Sequence, residues 1–444
     1  MAHVNLTRDL AAFCYKLKYD DLPDQVVEKV KVCTLHGVAV GLAAVERPTA
    51  KQALSFAKKL YTQRNARTRL LADGTRVSIA GVTFANSVLF HSRLQEDDYH
   101  DGLIHLGVIV LPAALASAEQ NRKSGSDFIT AVASGYEIGA RISRVYAHLS
   151  IPRGFRSTPV YGPVAAAASS AKLLGLNEQQ TLSALGWGAN SGGGLLECGV
   201  VQNISEMPFQ AGFACSSGVM SALLAQEGAV AAPSLLEGER GFLRAFAGTN
   251  EETEKVTKGL GKHYHMLETF FKPYPIGGLL QAPVAAMLGL VAENNVAPSQ
   301  IREAELRMSP VEALYPGANS MKPGPMSLQF CVAMAACERK ITTAAIDGIV
   351  NPCISDLMKK IKITPDESIA PLRCKLIVTT SNQGILKKDL EIGINNFKEE
   401  TKLVESLIPE MKISKQKVAK AVKMIESLEA CEDITQLIDL LISK

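Results

Sequence analysis

Residues Thr158–Glu197 read TPVYGPVAAAASSAKLLGLNEQQTLSALGWGANSGGGLLE. Within them Ala167, Ala168, Ser169, Ser170 and Ala171 carry almost no side-chain bulk, so a helix built here can approach its neighbours closely. Gly175 supplies the left-handed residue that ends such a helix, and Asn177 the cap that starts the next. The run Gly192–Gly194 marks a turn and not a phosphate loop, because no strand precedes it and no Gly-Lys-Ser/Thr follows. A second small-residue helix, GFACSSGVMSALLAQEG, repeats the pattern over Gly212–Gly228.

The flanking sequence fits this helical reading. Asp24–Ala43 has apolar residues at three- and four-residue spacing and then small residues all round, as in a helix entering a core. Leu106–Ala118 is apolar but too short to span a bilayer, and it contains Pro112. Ser124–Ser143 begins with a Ser/Asp start signal. Leu70–Gly81 carries an Asp-Gly turn between short alternating runs and predicts a hairpin. Beyond Glu268 the texture changes: Ile301–Pro310 alternates like a strand, and Arg373–Ile392 reads as two strands about a turn at Asn382-Gln383-Gly384. Helical pattern returns over Ser414–Leu441. The expected organisation is mainly α with an α+β lid, a helical domain from 1–268 and 402–444 enclosing a lid of 269–401.

Composition narrows the function. The 444 residues are 47% hydrophobic and carry a formal charge of only +3, enough for a large core and without the basic stripe of a nucleic-acid binder. The N-terminus lacks the basic-then-apolar order of a signal peptide. The nine cysteines include no Cys-x-x-Cys pair, so a disulfide framework or structural zinc is not expected, and a reducing cytoplasm fits. No membrane association is expected.

Against this background QEDDYHDGLIHLG, Gln95–Gly107, concentrates four acids and two histidines in an apolar setting. Such a cluster reads as a metal site, a proton-transfer site or a polar loop capping a helix. The histidine spacing does not match a helical His-x-x-x-His pair, which disfavours metal. His105 is the candidate acid/base. Asp97 and Asp98 are candidates for catalysis or for capping and fixing a neighbour. Tyr99 is a candidate proton donor or packing group, and His100 and Asp101 are expected on the exposed part of the loop.

Together with GYEIGARI (Gly135–Ile142), GFRSTPVYGPVAAAASSAKLLGL, QAGFACSSGVMSALLAQEG, LLEGERGFLRAFAG (Leu235–Gly248) and FKPYPIGGLLQAP (Phe271–Pro283), this motif resembles, in order and over nearly the whole chain, the MmgE/PrpD family. That family includes 2-methylcitrate dehydratase, cis-aconitate decarboxylase and iminodisuccinate epimerase. The resemblance implies a helical domain from both chain ends, an α+β lid, a cleft between them, a homodimer, and side-chain proton transfer without metal or organic cofactor.

The resemblance also exposes departures. The family's Asp-x-Asp-Asp begins here at Gln95, a neutral amide, while Asp97, Asp98 and His105 match. Its Gly-Phe-His-x-Thr places Arg156 at the histidine. Its Lys-x-x-His-x-Gly places Met207 at the lysine and Gln210 at the histidine. Lys272 and Tyr274 of Lys-x-Tyr-Pro remain, but a following histidine becomes Gln281. Arg156 stays protonated and so suits a carboxylate clamp, paired otherwise with Glu197 or a loop Asp. Trading Lys for Met implies a less anionic, larger or more apolar substrate in specialised biosynthesis. The expected protein is thus a lyase or isomerase acting by proton transfer next to a carboxyl or carbonyl group. In that reading Gln95, Arg156, Met207, Gln210, Lys272, Tyr274 and Gln281 line the pocket. The alternative is a catalytically silent member acting as a binding or scaffold protein.

Overall fold

The computed structural model describes residues 5–199, 201, 205–393 and 395–442, and it is mainly α with a small α+β part. The small-residue helix Ser157–Leu174 lies at the centre, with Ala165–Ala168 fully buried. Helices Gly125–Ser150, Glu178–Asn190 and Glu206–Gln226 pack around it. The approach is close enough that a Cβ on Gly218 would lie 2.5 Å from the Pro163 carbonyl oxygen. Gly175 ends the central helix at φ 70°, and the Asn177 side chain accepts the Gln180 N–H at 2.9 Å to start the next. Ser124 caps Gly125–Ser150 in the same way, through the Asp127 N–H. The short strands Thr68–Arg69 and Arg76–Val77 pair antiparallel about the Asp-Gly turn.

The C-terminal helices pack back on these N-terminal ones. Helix Phe397–Leu407 packs on Asp24–Ala43, where His36 Nδ1 lies 2.6 Å from Glu400 Oε1 and both side chains are wholly buried. The other ring nitrogen of His36 is 2.7 Å from the Gln95 carbonyl oxygen, so the C-terminal segment steadies the start of the acidic stretch.

A second hydrophobic core, running from Ile276 to Val378, is built by helices Gln281–Glu293 and Leu328–Glu338 against a four-stranded sheet. Its strand order is Ile361–Pro365, Ile301–Met308, Arg373–Thr380, Ile385–Glu391. The first pair is parallel and the others antiparallel, with Leu306 opposite Leu376. One expectation is corrected here: Cys337 and Cys353, separated by 16 residues, form a disulfide between helices Leu328–Glu338 and Pro352–Met358. A search for closely spaced cysteine pairs does not find a bond made by tertiary packing. Among the described residues no helix is long and apolar enough to cross a membrane.

Candidate active site

After helix Ile79–His91 the chain extends through Asp97–Asp98 and pairs antiparallel with Phe270–Phe271. Extended backbone sends alternate side chains to opposite sides. Asp97 faces the helical core, where Tyr136 donates its hydroxyl to Oδ2 at 2.5 Å and Gly107 its N–H to Oδ1 at 2.9 Å. The carboxylate thus caps helix Gly107–Asn121, and a Cβ at Gly107 would sit 2.6 Å from Oδ1. Asp98 faces the other way and is pressed against Gly278, where a Cβ would fall 2.0 Å from its Oδ2. Only glycine fits either contact.

On the Asp98 side a buried polar chain runs across the site. Lys272 Nζ lies 2.5 Å from Glu96 Oε1, with both groups almost wholly buried. His91 Nδ1 is 3.1 Å from Glu96 Oε2. Burial alone would raise the Glu96 carboxyl, but the Lys272 ammonium beside it outweighs this and holds it well below the usual range. Burial lowers the His91 pKa despite Glu96, so its ring is neutral. Arg156 Nη2 lies 2.6 Å from His91 Nε2, which as the acceptor must be unprotonated. Arg156 Nη1 donates to the Met207 carbonyl at 3.2 Å and to Gln210 Oε1 at 3.4 Å.

Arg156 is placed by its backbone. It caps helix Ser157–Leu174, and its N–H donates to the Gly194 carbonyl at 3.0 Å. Pro163 has no N–H for the Pro159 carbonyl, and the Gly193 N–H takes that place at 3.1 Å. A proline inside the helix therefore holds the glycine turn beside Arg156. Arg156 is only 6% exposed, yet among the described residues no carboxylate lies within ion-pair distance of it. The expected pairing with Glu197 or a loop Asp is not made.

His105 closes the arrangement. Its Nδ1 is 3.1 Å from the Asp97 carbonyl oxygen, 3.6 Å from Glu96 Oε1 and 4.0 Å from Asp98 Oδ2. The nearest acceptor is a carbonyl, which assigns the proton to Nδ1 and leaves the lone pair on Nε2. Among the described residues Nε2 has no protein partner, and 17% of the side chain is exposed. Burial first, then the Lys272 charge, hold the imidazole well below its ordinary pKa against the pull of Glu96. Burial pushes Asp98 up to about 7, although Lys272 opposes it. A neutral base and a carboxyl poised to hold a proton at neutral pH thus sit side by side.

The other expected residues are placed as follows. Lys272 is inside the site but committed to Glu96. Gln95 and Gln281 serve backbone. Gln95 donates to the Pro273 carbonyl at 2.9 Å and accepts from Arg93. Gln281 donates to the carbonyls of Tyr274, Ile276 and Gly277 and accepts the Tyr274 N–H. Both side chains are engaged by the Lys-x-Tyr-Pro turn. Tyr274 is half-buried beside the second core. Met207 contributes its carbonyl and Gln210 its amide oxygen to Arg156. Tyr99 donates its hydroxyl to Glu268 Oε2 at 3.4 Å. Asp101 is exposed but His100 is buried, contrary to expectation, and stands 3.8 Å from Glu312 Oε1.

Sequence reasoning missed His91, Glu96, Glu312 and Tyr315. Burial pushes the Tyr315 phenol up to about 12, with the Arg156 charge opposing and Asp98 adding to the shift. Glu96 stood inside the acidic motif but outside the paired aspartates that drew attention. His91 and Tyr315 carried no signal in spacing, since folding alone brings them in.

Residues 8–255 match the model of the MmgE/PrpD N-terminal domain. The chain is 32% identical over 278 residues to the cis-aconitate decarboxylase-like protein oryM of Aspergillus oryzae, covering 59% of this chain and 56% of that protein. It is 28% identical over 397 residues to a cis-aconitate decarboxylase of Aspergillus terreus, covering 82% and 79%. The match to the family model spans more than half of the sequence and carries the acidic motif, His91, His105 and Arg156, and the chain belongs to the MmgE/PrpD family.

Proposed function

We propose that this protein is a cofactor-independent lyase or isomerase that moves a proton on carbon next to a carboxylate. One observation carries the reading: neutral His105, with no partner on Nε2 among the described residues, and Arg156, a buried cation that no carboxylate among them neutralises, both adjoin the ring of His91. Arg156 would hold a substrate carboxylate bidentately, as its fork geometry suits. His105 Nε2 would take the proton from the adjacent carbon, the C–H electron pair staying on that carbon. Asp98 in its protonated form would return a proton there or to a departing hydroxyl. In a decarboxylation the electron pair of the breaking C–C bond would take the Asp98 proton instead.

Lys272 is neutralised by Glu96, and Met207 offers no cation, which leaves Arg156 as a cation with no carboxylate partner among the described residues to receive a substrate carboxylate. This favours an acid with fewer carboxylates than the cis-aconitate of the relatives' names. The family resemblance adds a homodimer, for which Phe213, Met220 and Leu224 form one exposed apolar face of helix Glu206–Gln226.

Proton NMR in D2O tests the reading, with citrate, 2-methylcitrate, cis-aconitate, iminodisuccinate and larger, less charged analogues. Deuterium uptake or a new product that disappears in His105→Ala supports it. Uptake that survives the substitution moves the base elsewhere. Bound acids that show no exchange and no product favour the silent binding protein.

A further inference from the structure

Outside the site, three side chains converge that the chemistry above does not use. His265 Nδ1 lies 3.3 Å from Glu268 Oε1, and His263 Nε2 lies 3.8 Å from the same oxygen. One donor atom from each residue falls within 4.8 Å of the others, and the group borders a cavity of about 580 Å³. Ligands about 2.0–2.1 Å from a tetrahedral zinc ion lie roughly 3.3–3.4 Å apart. The His265–Glu268 edge already has that length and the His263–Glu268 edge needs to close by about half an ångström, while the two imidazole nitrogens, within 4.8 Å of each other, are brought together by rotation of the exposed His263 ring.

The backbone carrying these ligands is pinned. Arg141, fully buried and paired with Glu137 at 2.6 Å, donates to the carbonyls of His263, Lys258 and Val256. Glu137 in turn accepts the Met266 N–H at 3.1 Å. Glu268 Oε2 accepts the Tyr99 phenol, which orients the carboxylate and leaves Oε1 toward the histidines. Such support for a loop with exposed ligands is what a metal site needs and what a solvated polar turn does not.

One group competes. Arg144 Nη1 lies 2.6 Å from His265 Nδ1 and 3.5 Å from Glu268 Oε1, on the electron pairs a metal would use. Its Nη2 is already 3.4 Å from Asp101 Oδ2, so the guanidinium has a second carboxylate to move to.

The geometry points to a site for a borderline divalent transition ion of the zinc type, held by His263, His265 and Glu268, with Arg144 as a built-in competitor. Two imidazoles and one carboxylate leave a coordination position open to water from the cavity. Binding would transfer Arg144 to Asp101, in the turn that follows the Asp97–Asp98 strand.

Cobalt(II) titration of the chelator-treated full-length protein tests this, since the visible absorption of cobalt intensifies when its coordination falls from octahedral to four or five. The expected result is one equivalent bound with that intensified band, displaced by zinc, and lost in His263→Ala and His265→Ala. Arg144→Met removes the competing charge and should bind cobalt about fivefold more tightly, a gain that misfolding cannot produce. Pale octahedral cobalt, binding unchanged in both histidine variants, or weaker binding in Arg144→Met would overturn the proposal.

Discussion

His91, Glu96 and Lys272 show how side chains of ordinary chemistry become a site. Each is buried beside the next, so a proton or charge on one fixes the state of its neighbour. His105→Ala should lower kcat by about 10²–10⁴-fold, the usual contribution of a positioned base, in steady-state assays on the substrate found by NMR. Arg156→Met should instead raise KM by about tenfold or more, since it removes a hydrogen-bonded clamp on a carboxylate that persists through the reaction. A KM unchanged in that variant would remove Arg156 from substrate binding. At this scale the sequence was partly legible. The family motif led to His105, Asp97, Asp98 and Arg156, but pattern could not show that Tyr99 turns to Glu268 or that Gln281 serves its own turn. Those outcomes depend on which backbone groups the fold leaves without partners.

The elements were more legible than the contacts between them. Caps at Ser124 and Asn177, the glycine stop at Gly175 and the strands flanking Gly384 are local signals and can be read locally. The two-residue pairing of Asp97–Asp98 with Phe270–Phe271 cannot, because it joins segments far apart in sequence and is too short for any periodicity. Nor does alternation alone reveal that Ile361–Pro365 lies parallel to Ile301–Met308. The small-residue helix does make a claim about tertiary structure, and it can be tested. Gly218→Ala places a Cβ against the Pro163 carbonyl and should cost about 1–3 kcal/mol in chemical denaturation. A neutral substitution would mean the helices have room to part.

Across the whole molecule, His91 and Arg156 stand at the ends of helices of the first core, while Tyr315 packs against the second, and Glu312, on the short helix Pro310–Ala313, lies 3.8 Å from His100. That junction has a pH signature. Burial raises Glu312 to about 7, so the folded protein holds its proton more tightly than the unfolded chain does. Its contribution to stability is therefore full below the ordinary carboxyl value and is lost as pH rises through about 7. Glu312→Gln removes this term, so the variant should gain on wild type by about 2–3 kcal/mol between pH 4.5 and 8 in denaturant titrations. A difference independent of pH would mean that the carboxyl is ionised in the fold. Such a junction was legible in the sequence only as a change of texture near Glu268, because charge states follow from burial and burial from the packed molecule.

The proposed chemistry turns on His105 as a neutral base with its proton tied to the Asp97 carbonyl and Nε2 open to substrate. Nitrogen-15 NMR of the imidazoles, with His105 assigned by its absence in His105→Ala, measures this directly. The expected result is the Nδ1–H tautomer at neutral pH and protonation only well below the ordinary imidazole range. An Nε2–H tautomer, or protonation at or above that range, would contradict it.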